Sequence, residues 1–165
     1  MKWIARLSAL AILAAITWWI WATFFPGPET VIRKRLNKVA TLNTFDAKEG
    51  LIPRVANVQE LMTYFAPEIE VVVDTPAQSR QAISGRDDLQ QAVLGVRSML
   101  RGLNVEFLDT QVTLSADQSN ATVSLTAKAR APGDRDFFVQ ELKFLLRKIN
   151  GEWLIVRIET VRTLT

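Results

Sequence analysis

The 165-residue sequence contains no cysteine and no histidine, and Tyr64 is its single tyrosine. Those absences exclude disulfide frameworks, Cys/His zinc sites, cysteine nucleophiles and Ser-His triads. The seven glycines never fall as G-x-G or before Lys-Ser/Thr, which removes the dinucleotide and P-loop motifs. Excess charge is also scarce. The net charge is +3, and without Lys2 and Arg6 the remaining chain carries 18 Lys+Arg against 17 Asp+Glu. So small a balance is no nucleic-acid footprint. Nothing in this inventory calls for a cofactor or a metal.

What is present begins with a long run free of charge. Leu7–Phe25 has no charged residue, and as a helix it would reach ~28 Å, close to a hydrocarbon core of ~30 Å. Trp3 stands at one end; Trp18, Trp19, Trp21, Phe24 and Phe25 crowd the other, as in two interfacial aromatic belts. Residues 1–25 therefore read as a transmembrane signal-anchor contacting lipid through residues 7–25. A cleaved secretory signal is the alternative, although Ile20-Trp21-Ala22 is a poor cleavage site. Lys2 and Arg6 favour an N-terminus inside. This gives a single-pass protein of a bacterial-type inner membrane, with its domain extracytoplasmic. The lack of cysteine is compatible with an oxidising compartment.

Pro26-Gly27-Pro28 forms a short stiff linker, residues 26–28, before a domain over 29–165. Apolar residues at helical spacing predict helices over Glu29–Asn43 and Arg54–Phe65, followed by a strand over Ile69–Thr75. Ser84-Gly85-Arg86-Asp87 reads as a capping-box variant opening a third helix, with Leu89, Val93, Val96, Leu100 and Leu103 as its stripe. The period then changes to two. Strands are predicted over Asn104–Ser115, Ala121–Ala131, Phe137–Ile149 and Glu152–Leu164, an α+β arrangement closing on an antiparallel meander.

Register follows from keeping apolar residues on one face. A three-residue loop, Ile149-Asn150-Gly151, would pair Leu146 with Leu154, Phe144 with Val156 and Leu142 with Ile158, placing Gly151 at positive φ. A phase slip in the long strand predicts a bulge near Phe107–Leu108.

In this order the pieces resemble the nuclear transport factor 2-like, or SnoaL-like, superfamily over about Glu29 to Leu164. The likeness rests on the initial helix, a second helix ending LMTYFAPEIEVVVD, the ISGRDDL turn and the hairpin LRKINGEWLIVRIE. It implies a cystatin-like roll, a cone of curved antiparallel sheet wrapped around about three helices. Members include isomerases, dehydratases, transport adaptors and assembly subunits, so the fold leaves function open. Anchored examples also resemble the inner-membrane bridging subunit of type IV secretion systems.

In enzymes of this kind a carboxylate or tyrosine inside the cone acts as acid or base, which makes Asp74 and Tyr64 the low-ranking catalytic candidates. Asp87 and Asp88 suit a helix start, and Asp134 and Asp136 suit a turn. Asn120-Ala121-Thr122 matches a glycosylation sequon within a turn. Ten inward positions of the last three strands are all apolar: Val123, Leu125, Ala127, Ala129, Leu142, Phe144, Leu146, Leu154, Val156 and Ile158. On the outer face, Arg147 should oppose Trp153, and the diagonals Glu141–Arg157 and Lys143–Glu159 are complementary. Leu145, Trp153, Ile155 and Val161 then form a candidate interface, including for a homodimer. Arg33, Lys34 and Lys38 form a basic helix face able to meet anionic headgroups. The leading expectation is a membrane-tethered, non-catalytic binding or assembly domain for a protein partner or an apolar small ligand. A small isomerase or hydrolase using Asp74 and Tyr64, and a secretion-type bridging subunit, are the alternatives.

Overall fold

The computed structural model describes residues 27–75 and 78–161. The Leu7–Phe25 run lies outside them. Among the described residues no helix is long and apolar enough to cross a membrane.

The chain runs α1 (Pro28–Asn43), α2 (Leu51–Met62), β1 (Phe65–Thr75), β2 (Gln78–Ser84), α3 (Arg86–Met99), β3 (Asn104–Leu114), β4 (Asn120–Arg130), β5 (Phe138–Ile149) and β6 (Glu152–Thr160). The six strands form one sheet in the order β2-β1-β6-β5-β4-β3. All neighbours are antiparallel except β1 and β6, which run parallel. Helix α1 lies against β3, with Ile32, Leu36, Val39 and Leu42 buried along one side. That is the predicted helix, begun one residue earlier.

Several boundaries differ from the expectation. Helix α2 begins three residues early, at Leu51, and ends at Met62, and Pro67 lies within β1. Proline is tolerated there because it enters near the strand start, before β1 pairs with β2 at Glu70. Strand β2 was not anticipated, because QSRQAIS is too polar to show alternation. The capping box does not form. Gly85 at φ +92 is the N-cap, with no side-chain cap hydrogen bond, and Ser84 ends β2. Leu103 falls beyond α3, in an isolated bridge with Phe45.

The last hairpin corrects the register and keeps its logic. Ile149 pairs with Glu152, so the turn is the two-residue Asn150-Gly151, with φ +51 and +86. Both central residues at positive φ make it a type I′ turn, which suits Asn-Gly. The mismatch of apolar phases that called for an extra loop residue is real, but β6 absorbs it internally. Leu146 pairs with Ile155 and Leu145 with Arg157, leaving Val156 as the extra residue of a bulge. Trp153 and Ile155 consequently point into the core, 3% and 2% exposed, in place of Leu154 and Val156. Beyond the bulge Ile158 packs on the core as expected, now opposite Phe144. The β3 irregularity also forms, between Leu108 and Gln111 with Asp109 at φ +51, slightly later than predicted.

Candidate functional site

The concave face of the sheet could hold a reaction chamber only if its side chains left room, and the described ones pack together there. Val123, Leu125, Phe144 and Leu146 are buried, and Phe107, Val112, Ala127, Leu142 and Ile158 pack against them. Phe107 and Phe144 meet edge to face with ring centroids 5.7 Å apart, a favoured aromatic geometry. Core residues of α1 and α2, among them Ile32, Leu36, Val58 and Leu61, close the cone from the helical side.

The two catalytic candidates are not brought together. Tyr64 immediately precedes β1, and Asp74 is near its far end. Ten residues of extended strand separate them by roughly 30 Å, so they cannot act on one reacting atom. Tyr64 is half-buried and its ring carries the Arg35 guanidinium at 5.0 Å. The side chain of Asp74 lies outside what is described. Asp87 and Asp88 occupy the first turn of α3, and Asp134 and Asp136 are exposed between β4 and β5.

The outer face is a charge ladder. Lys143 lies directly opposite Glu159, not diagonal to it, because the Val156 bulge shifts the register; their charged atoms are 3.3 Å apart. Arg157 bonds Glu159 at 3.1 Å and also pairs with Glu70 of β1. Hydrogen bonding from Arg157, then Lys143, holds the Glu159 carboxyl below the ordinary carboxylate range against the effect of burial. With Trp153 and Ile155 in the core, only Leu145 and Val161 remain of the candidate interface stripe. Trp153 pairs with Lys148 in register and Arg147 with Leu154, so the expected Arg147–Trp153 contact is absent. The basic helix face is also partly committed. Arg33 donates to the Thr110 carbonyl and Lys38 pairs with Glu60 at 3.1 Å, while Lys34 is exposed.

Among the described residues an apolar concavity sits at the mouth of the cone, between the end of α1 and the last turns of α3. It is an open, apolar pocket of about 160 Å³ lined by Asn43, Phe45, Val93, Val96, Arg97 and Leu103. Gly102 lets its floor close up: a Cβ there would lie 2.7 Å from the Pro132 ring and 3.2 Å from the Phe45 carbonyl. Arg97 is 2% exposed. One guanidinium nitrogen donates to both Glu49 carboxylate oxygens at 2.8 Å, the other donates to the Leu42 carbonyl, and Phe45 lies under the group at 4.7 Å. The pair ties the start of α2 to the last turn of α3. That end of the molecule also carries exposed apolar residues: Ile52 at 84%, Met99 at 83%, with Leu51, Val96 and Leu100. Sequence reasoning did not single out Arg97 or Glu49. The available signal was Arg97 following Leu89 and Val93 at intervals of four, a cation on an apolar stripe.

No family model and no curated protein matches this sequence. Solved structures do share the fold. A Nostoc punctiforme protein with a cystatin-like fold superposes with a TM-score of 0.63 at 15% identity, over 85% of this chain and 96% of that one. A nuclear transport factor 2-like protein of Pseudomonas putida gives 0.64 at 12%, over 83% and 87%. A Novosphingobium aromaticivorans protein provisionally named a scytalone dehydratase gives 0.60 at 18%, over 82% and 84%. The architecture is thus the nuclear transport factor 2-like, cystatin-like one. At these identities the likeness concerns the fold alone.

Proposed function

We propose that this chain is a membrane-tethered, non-catalytic binding domain, held by residues 7–25 in a bacterial-type inner membrane with the domain outside the cytoplasm. The observation that carries the non-catalytic reading is the filled cone. Where an enzyme of this architecture would need an acid or base facing a substrate, Phe107, Phe144, Leu142 and Ile158 occupy the space. The separation of Tyr64 from Asp74 along β1 supports the same view.

Gly27, where the tether would join, and the pocket stand at different ends of α1. Helix α1 has 16 residues and spans about 24 Å. A membrane segment joined at Gly27 would place the Asn43 end, and with it the apolar mouth, at that remove. Binding at the mouth is then open to a solute or partner arriving from outside.

A dehydratase-type reading draws on one structural neighbour's name, and it would require polar groups other than the Tyr64–Asp74 pair. The test of the tether is direct. A reporter enzyme fused after Thr165 should be active only outside the cytoplasm, and the full chain should stay with membranes through alkaline extraction. Cytoplasmic reporter activity, or release of a shortened chain, would overturn the proposed topology.

A further inference from the structure

We infer that α3 packs antiparallel on α3 of a second copy of this chain, about a two-fold axis at Gly95. The inference deepens the binding-domain reading, and rests on it, by naming what is bound at the mouth end. Its first support is a helix face left uncovered among the described residues. Ala92, Gly95, Val96 and Met99 follow at spacings of three, one and three, so they share one side of α3. Val96 and Met99 are exposed there, while the helix buries Leu89 and Arg97. Leu51, Ile52 and Val55 of α2 continue the apolar surface, held beside the end of α3 by the Glu49–Arg97 pair. Apolar residues exposed singly are ordinary, whereas a group on two adjoining helices marks a surface for a partner. A Cβ at Gly95 would meet nothing within 4 Å, so the packing of the chain on itself does not require glycine there. A second helix crossing at that point does, because it brings two backbones close.

The second support is charge, and it selects a second copy as the occupant. Asp87 and Asp88 are exposed in the first turn of α3, and Arg101 is exposed just beyond its last. None of the three forms an ion pair among the described residues. Asp88 lies seven residues before Gly95 and Arg101 six after it. Antiparallel helices crossing at Gly95 therefore set Asp88 of each copy beside Arg101 of the other, and the two-fold axis makes the pairing occur twice. A parallel pair would set Asp88 against Asp88 and repel. An anionic lipid surface would answer Arg101 but meet Asp87 and Asp88 with like charge.

The third consideration is size. Helix α3 has 14 residues and a length of about 21 Å. A contact of two such helices, widened by the start of α2, is small against the ~800 Å² per partner of a standard interface. Anchoring both copies in one membrane raises their effective concentration and offsets that. The outer sheet face is a poorer surface for a second copy, because Trp153 and Ile155 point into the core and Leu145 and Val161 are left.

The chain has no cysteine, so introduced thiols report on the interface alone, and the experiment uses the full chain in membranes of the expressing cell. Gly95→Cys should give a disulfide-linked dimer under mild oxidation, and Leu145→Cys on the sheet face should not. Chains carrying Asp88→Cys, co-expressed with chains carrying Arg101→Cys, should be joined by a short thiol cross-linker. Asp88→Cys alone should not, because two such positions lie about 21 Å apart in the antiparallel pair. Met99→Glu, a change at an exposed side chain, should lower the Gly95→Cys yield at least about tenfold while the melting temperature stays that of the parent. Cross-linking at Leu145 but not at Gly95 would overturn the α3 interface in favour of the sheet face. Equal yields at all positions would mean random collision and overturn it too. A membrane-held chain with no cross-link would overturn the interface and leave the tether, whereas a cross-linked chain released from the membrane would overturn the tether and leave the interface.

Discussion

Phe107 of β3 meets Phe144 of β5 across the inside of the sheet, with ring planes at 63°. β4 lies between those two strands, so the contact bridges the concave face and fills the centre of the cone. Phe144 is 2% exposed. Truncating it should therefore cost both transfer energy and a cavity. Phe144→Ala is expected to destabilise the protein by about 3–5 kcal/mol in chemical denaturation. A loss below about 1 kcal/mol would show that the ring is not packed as described.

The Arg97–Glu49 pair gives a second prediction. Their side chains are 1% and 8% exposed, so removing one partner leaves the other charged and poorly solvated. Glu49→Ala should cost about 3–5 kcal/mol. A neutral effect would mean that Arg97 finds water or another acceptor, and would weaken its place at the pocket.

The β5–β6 turn gives a third. Gly151 has φ +86, where a β-branched side chain is strained. Gly151→Val should lose about 1 kcal/mol or more. Deleting Val156 should be tolerated, because without the bulged residue Trp153, Ile155 and Ile158 fall at alternate positions and still share a face. A loss as large as that of Phe144→Ala would reject the bulge.

Asp117 gives a pH signature. The Ser115 and Ser119 hydroxyls, with the Ser119 backbone N–H, hold its carboxyl down to about 2 from an ordinary 3.8. A carboxyl depressed in the folded state favours folding above its ordinary value, and that contribution disappears as pH falls through about 2. An NMR titration of Asp117 should show the low midpoint, moved upward in Ser115→Ala. A midpoint near 3.8 in the parent would show that the Ser115–Asp117–Ser119 loop does not form in solution.

The sequence was most legible where periodicity and burial agree. Helix α1, the meander and the apolar phases of β4 and β5 could be read from spacing alone, because each element buries one face against a single core. The hairpin shows why legibility stops. Spacing reveals that one residue too many must be absorbed between Leu146 and Ile158, yet a loop insertion and a bulge restore phase equally well on paper. The fit of Asn150-Gly151 to a two-residue turn moved the extra residue to Val156, and with it Trp153 from the surface to the core. Strand β2 was invisible because its polar residues carry no alternation. The pocket was harder still. Asn43, Phe45, Arg97 and Leu103 come from α1, α3 and the segments that follow each, and nothing local in the sequence announces their meeting.

Among the described residues the cone is filled by apolar side chains, and an apolar pocket opens at its mouth. Xenon enters apolar space that side chains leave empty, so crystals pressurised with xenon test this directly. Xenon should bind at the mouth, beside Phe45, Val93 and Val96, with none among Phe107, Phe144 and Leu142. A xenon site among those last three residues would reveal an internal chamber and contradict the non-catalytic reading.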